Sequence, residues 1–157
     1  MPLDFNEKVF AMKEALKQAK LAFYKDEVPV GAVIINKDGT IVARAYNKRE
    51  CASDPTAHAE ILALRKAAKK VGQWRLDKMT LVVTLEPCLM CLAACVLARI
   101  QNVIFGAYDV KGGALSLGYS MHVDSRLNHR FSVMGGILHE DCSHILSDFF
   151  KNKRRKD

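Results

Sequence analysis

The segment TLVVTLEPCLMCLAACVLAR, residues 80–99, holds a strand, a break and a helix in succession. Residues 80–84 are apolar between two threonines, with no polar alternation, which is the pattern of a central strand covered on both faces. Pro87 has no N–H to lose and a φ already set for a helix, so it reads as a helix start, with Cys88 to Arg99 following. A further apolar run, residues 103–105, follows at once. Strand, helix and strand in this order imply a right-handed crossover and parallel pairing.

Working upstream, residues 30–35 and 41–46 are two apolar, β-rich runs separated by Asn36-Lys37-Asp38-Gly39, so they form a hairpin on an Asp-Gly turn. A polar loop, residues 47–53, leads to Asp54-Pro55, which reads as the start of a helix that passes Glu60, Leu62, Leu64 and Ala68 and stops near Gly72. Before the hairpin, residues 4–24 form a helix. Asp4 and Glu7 make its capping box, and Val9, Met12, Leu16, Ala19 and Phe23 make its core-facing stripe. Downstream lie a long glycine-containing loop (109–128), a short strand near residues 132–134, and a last helix from about Glu140 into Phe149-Phe150. The basic tail, residues 151–157, carries Lys151, Lys153, Arg154, Arg155 and Lys156. Residues 1–157 are therefore expected to form one domain. Its fold class is α/β, a three-layer sandwich with a mixed, mostly five-stranded sheet and helices on both faces.

Half of the residues are hydrophobic and 26% are charged, which is a globular composition and excludes a disordered chain. No apolar run reaches the roughly 20 residues of a bilayer span, and residues 1–20 lack the pattern of a secretory signal. A cytoplasmic protein without a membrane partner is expected. The net charge of +7 suits a polyanionic partner such as nucleic acid, though a merely basic enzyme has the same balance. Five cysteines, an odd number, argue against a disulfide framework and leave core filling, nucleophilic chemistry or metal binding.

Two motifs carry the chemistry: His58-Ala59-Glu60 and Pro87-Cys88-Leu89-Met90-Cys91. Cys88 and Cys91 are three apart in the first turn of a helix, so they share a face where free N–H groups favour the metal-binding thiolate. Alone, a Cys-x-x-Cys pair fits a redox pair, half of a zinc knuckle or coincidence. His58, in the first turn of the preceding helix, narrows this, because two helix N-termini meet at one edge of an α/β sheet. Alone, His58 reads as a capping or core histidine, and Glu60 as a solvated charge. Together they supply three protein ligands for one zinc ion, with a fourth position open to water, and a carboxylate beside that water. Two thiolates cancel the charge of the ion, so a base that takes and returns the proton is needed, and Glu60 fills that role. His-x-Glu followed by Pro-Cys-x-x-Cys is the known signature of the zinc deaminases, so the assignment is a match and not a discovery.

At these residues the chain resembles the bacterial tRNA-specific adenosine deaminases of the cytidine deaminase superfamily. The similarity extends over Pro29-Val30-Gly31-Ala32-Val33, residues 54–61 (DPTAHAEI) and 84–91 (TLEPCLMC), Ala98-Arg99-Ile100, Phe105-Gly106-Ala107, Asn128-His129 and Phe149-Phe150. The resemblance implies zinc-dependent hydrolysis of adenosine to inosine at the wobble position of a tRNA anticodon. Zinc-bound water is then the nucleophile, Glu60 the proton shuttle and ammonia the second product. It implies one zinc per chain on His58, Cys88 and Cys91, and a homodimer that builds the RNA groove from both subunits. It assigns Asn47 to the flipped base or its sugar, and Val30 and His58 to the flanks of the base. Asp109 goes to a neighbouring ribose, and Phe149 and Arg154 or Arg155 to the anticodon strand. Read as residues alone, Asn47 is a loop-turn residue, Val30 a strand core residue, and one of Phe149 and Phe150 a packing ring. Cys95, one turn beyond Cys91, reads as core, and Cys51 and Cys142 as non-ligands. Residues 48–53, with Cys51, and 115–126 depart from the family pattern. Two rivals compete. One is a deaminase of free guanine, cytidine or a nucleotide, against which the basic tail and net charge stand. The other is a nucleic-acid-binding module with structural zinc, against which Glu60 and the missing fourth ligand stand.

Overall fold

The computed structural model describes residues 2–156. Asp4 caps the first helix, α1 (Phe5–Tyr24): its carboxylate accepts from the Glu7 N–H at 2.8 Å, and Glu7 accepts from the Asp4 N–H at 2.8 Å. The expected hairpin is present as β1 (Gly31–Ile35) and β2 (Ile41–Tyr46), antiparallel, with Gly39 at φ 85° in the turn. Then follow α2 (Ala59–Val71), β3 (Thr80–Leu85), α3 (Leu89–Ala98), β4 (Asn102–Ala107), β5 (Ser132–Met134) and α4 (His139–Lys156). The sheet runs β2-β1-β3-β4-β5; β1 is antiparallel to both neighbours, and β3, β4 and β5 are parallel.

Strand alternation divides the core into two layers. Ala32, Ile34, Leu81, Val83, Val103 and Phe105 face Ala59, Ala63, Leu92 and Cys95 of α2 and α3. Val33, Ile35, Val82 and Ile104 face Ala11, Met12 and Ala15 of α1 and Cys142 of α4. The three-layer sandwich is thus as expected.

Several local expectations change. The stripe on α1 is finer than its large residues suggest: Ala11, Met12, Ala15, Ala19 and Ala22 are buried, while Val9, Leu16 and Phe23 are half-buried. Asp54 does not start α2. Its carboxylate accepts from the N–H and hydroxyl of Thr56 at 2.8 and 2.7 Å, closing a turn, and the helix begins four residues later than the proline. The basic segment is not a loose tail, because α4 continues through Lys156. Four cations in its last turn suit the negative end of the helix dipole.

Candidate active site

The site lies at the edge where α2 and α3 begin. His58 is the N-cap residue of α2 and Cys88 that of α3, one position before the first turns in which the sequence places them. N-cap positions normally hold Ser, Thr, Asp or Asn, whose side chains bind the helix N–H groups. Neither His58 nor Cys88 makes such a cap bond. Their side chains turn toward each other instead. The His58 Nδ1 lies 3.6 Å from the Cys88 Sγ and 3.5 Å from the Cys91 Sγ. The three ligand atoms fall within 4.8 Å of one another. A four-coordinate ion bonded at about 2.1 Å to nitrogen and 2.3 Å to sulfur sets those atoms about 3.6 Å apart, so the donor set has the span of a tetrahedral metal site.

The three groups stabilise one another electrostatically. The hydrogen bond from Cys91, with help from His58, holds the Cys88 thiol down to about 4. The same bond with Cys88, together with burial, pushes the Cys91 thiol well above the usual range. His58 is raised, chiefly by its bond to Cys88. A cation bound here would meet Cys88 as a thiolate and would displace the proton of Cys91. Glu60, 4% exposed, sits beside this cluster. Burial pushes its carboxyl up to about 7, resisted by its own backbone N–H and the His58 charge. A carboxyl balanced near neutrality can both accept and return a proton. Cys95 is fully buried, and burial raises its thiol, as expected of a core residue.

A pocket of about 190 Å³ opens over Glu60, His58 and Cys88. Val30, Asn47 and Asp109 also line it, so the structure gathers these sequence-chosen residues at one place. The Asn47 amide donates to the Val28 carbonyl at 3.1 Å and accepts from the Arg49 N–H at 3.1 Å, so it also shapes its loop. Ala59, Val28, Arg49, Leu85 and Glu86 complete the lining, and none of them was proposed as a site residue from the sequence. Arg49 lies two positions after Asn47 in the polar loop, and that nearness was its only available signal. Phe149 and Arg154 do not line the pocket. The expectation for Phe149 is corrected: its ring is 5% exposed and packs edge-on against Phe23 at 5.9 Å, so its faces are not open to a base. One residue along a helix turns the side chain by about 100°, and Phe150, 45% exposed, is the ring left on the surface. Arg154 is exposed on the last turns of α4.

The fold and site have known counterparts. Residues 6–154 match the family model of the MafB19-like deaminases. A tRNA-specific adenosine deaminase of Bacillus subtilis (strain 168) is 48% identical over 145 residues, 92% of this chain and 89% of the relative. The chain belongs to the tRNA-specific adenosine deaminase family. A solved structure from work on A-to-I editing by tRNA:A34 deaminases at the wobble position of transfer RNA overlays this deaminase with a TM-score of 0.83. It has 42% identity and covers 87% of this chain and 99% of that one. A guanine deaminase from Bacillus subtilis overlays less of the deaminase: TM-score 0.61, 37% identity, 71% of this chain and 69% of that one. The site of this enzyme is therefore a deaminase site with a metal-compatible His-Cys-Cys cluster.

Proposed function

We propose that this protein hydrolyses adenosine to inosine at the wobble position of a tRNA anticodon, with ammonia as the second product, and that residues 1–157 act as one deaminase domain. The observation that carries the reading is the joint placement of His58, Cys88 and Cys91 at tetrahedral spacing with buried Glu60 beside them. Two sulfurs and an imidazole nitrogen are the ligand types that zinc takes in catalytic sites with three protein ligands. One zinc per chain is therefore held by these three residues. The chemistry that zinc supplies when bound is the activation of water for hydrolysis.

The chain's own residues do the rest. Glu60 takes the proton from the attacking water and delivers it to the departing amine, so the reaction consumes adenosine and water and yields inosine and ammonia. Val30 and His58 flank the base, and the Asn47 amide keeps hydrogen-bonding capacity for the base or its sugar. Asp109 meets a neighbouring ribose. The basic end of α4, with Arg154 and exposed Phe150, contacts the anticodon strand, which suits the net charge of +7.

The enzyme acts as a homodimer. Supporting this, Leu89 and Leu97 of α3 and Leu117, Tyr119 and Val123 beyond β4 expose apolar surface of the kind that a partner covers. No helix among the described residues is long and apolar enough to cross a membrane. Its place of action is the cytoplasm, where tRNA is found. Incubation with unmodified tRNA transcripts, followed by sequencing for A-to-G changes, tests the reading. A single change at the wobble position is expected, and unchanged transcripts with zinc-loaded protein would refute it.

A further inference from the structure

Two carboxylates outside the metal cluster are buried, Glu27 at 1% exposure and Glu86 at 2%. A buried carboxylate is costly unless hydrogen bonds surround it, so the identity of its donors shows what it holds. Glu27 accepts from the N–H groups of Glu50 at 2.9 Å and Cys51 at 2.7 Å. Glu86 accepts from the N–H groups of Asp109 at 3.1 Å and Ser116 at 2.8 Å, and from the Ser116 hydroxyl at 2.5 Å. All of these donors lie 23 to 30 positions away, in two loops that each contribute residues to the pocket. One loop presents Asn47 and Arg49, and the other presents Asp109. The fit around Glu86 is close: a Cβ on Gly113 would lie 2.1 Å from its Oε2, so this loop admits no side chain there.

We propose that Glu27 and Glu86 are positioning residues, each fixing one loop at the pocket so that the sugar of the reacting nucleotide and its neighbours along the strand are gripped in register. The proposal rests on an RNA loop as substrate. The reacting base itself is placed over His58 and Glu60, and each carboxylate, Glu86 in the pocket wall included, acts on the strand through the loop whose N–H groups it holds. Loss of either one should therefore weaken the grip on the strand and leave the chemical step in place.

Glutamine is the informative replacement, because its NH₂ would face the N–H donors that the carboxylate accepts from. In zinc-loaded Glu27→Gln and Glu86→Gln, KM for an anticodon stem-loop should rise about ten- to a hundredfold, the scale of leaving buried donors unmet, with kcat at saturation within about threefold. Hydrogen exchange should quicken at the amides of Glu50 and Cys51 in the first variant, and of Asp109 and Ser116 in the second. Ser116→Ala removes one donor from an exposed position and should raise KM by a smaller factor, so it decides the case for Glu86 if Glu86→Gln fails to fold. An unchanged KM in variants whose loop amides exchange faster would overturn the proposal, as would a loss that falls on kcat. If the wild type turns over only a free base, the RNA reading fails, and the proposal with it. That outcome appears in the wild type, apart from any variant.

Discussion

Replacing Glu60 by Gln should stabilise the metal-free protein and disable the enzyme. Burial raises the Glu60 carboxyl to about 7 from the 4.5 of a free side chain, against the pull of its own N–H and of His58. Each tenfold change in acidity is worth about 1.4 kcal/mol, so ionising Glu60 in its folded site costs about 3 kcal/mol. Because the folded value is the higher one, this contribution to stability is fully present below pH 4.5 and is lost as pH rises through 7. Glutamine carries no such charge. Metal-stripped Glu60→Gln should match the wild type below about pH 4.5, gain a fraction of the difference at pH 5, and be more stable by up to about 3 kcal/mol at pH 8. For a domain of this size that is a rise in Tm of about 6–12 °C. Loaded with zinc, the same variant lacks the group that moves the proton and should lose about 10²–10⁴-fold in kcat or more, since both proton steps use it. Denaturant titrations at pH 5 and pH 8, paired with an ammonia-release assay, measure both sides. Near-normal turnover, or a variant less stable than the wild type at pH 8, would refute the reasoning.

The remaining expectations concern the metal, the RNA surface and the assembly. Cys88→Ser and Cys91→Ser should lose zinc in elemental analysis, while Cys95→Ser keeps it; full occupancy in both ligand variants would remove the metal assignment. Truncation after Phe150 deletes the basic turns of α4 and the Lys153–Asp26 ion pair (2.9 Å). It should weaken RNA binding in an anisotropy titration, flatten its salt dependence by about 0.7 for each phosphate that the helix end no longer neutralises, and leave zinc in place. A salt slope equal to that of the full chain would show that this helix end does not touch RNA. Light scattering at micromolar concentration should give the mass of a dimer, and a monomer mass would count against the assembly.

Much of the frame was legible because its signals are local. Asp38-Gly39 named the hairpin, Asp4 with Glu7 named the first cap, and the strand–helix–strand order named the layered sheet. The clustering of His58, Cys88 and Cys91 was legible because these residue types are rare in this spacing. What failed shares a cause with what succeeded. An Asp that caps a helix and an Asp that closes a turn use the same side-chain bond, so Asp54 gave no sign that it closes a turn onto Thr56. Phe149 and Phe150 are adjacent on one helix, and only the position of Phe23, far away in sequence, decides which ring is covered. Glu27 and Glu86 look like surface charges, because their partners are backbone N–H groups of distant loops that no local pattern reveals.

The most direct test of the central claim compares turnover of an unmodified tRNA anticodon stem-loop with that of free adenosine, cytidine and guanine by the same zinc-loaded enzyme. Deamination of the stem-loop adenosine at a kcat/KM far above that of every free base or nucleoside is expected. A free base or nucleoside turned over as efficiently as the stem-loop would contradict the account.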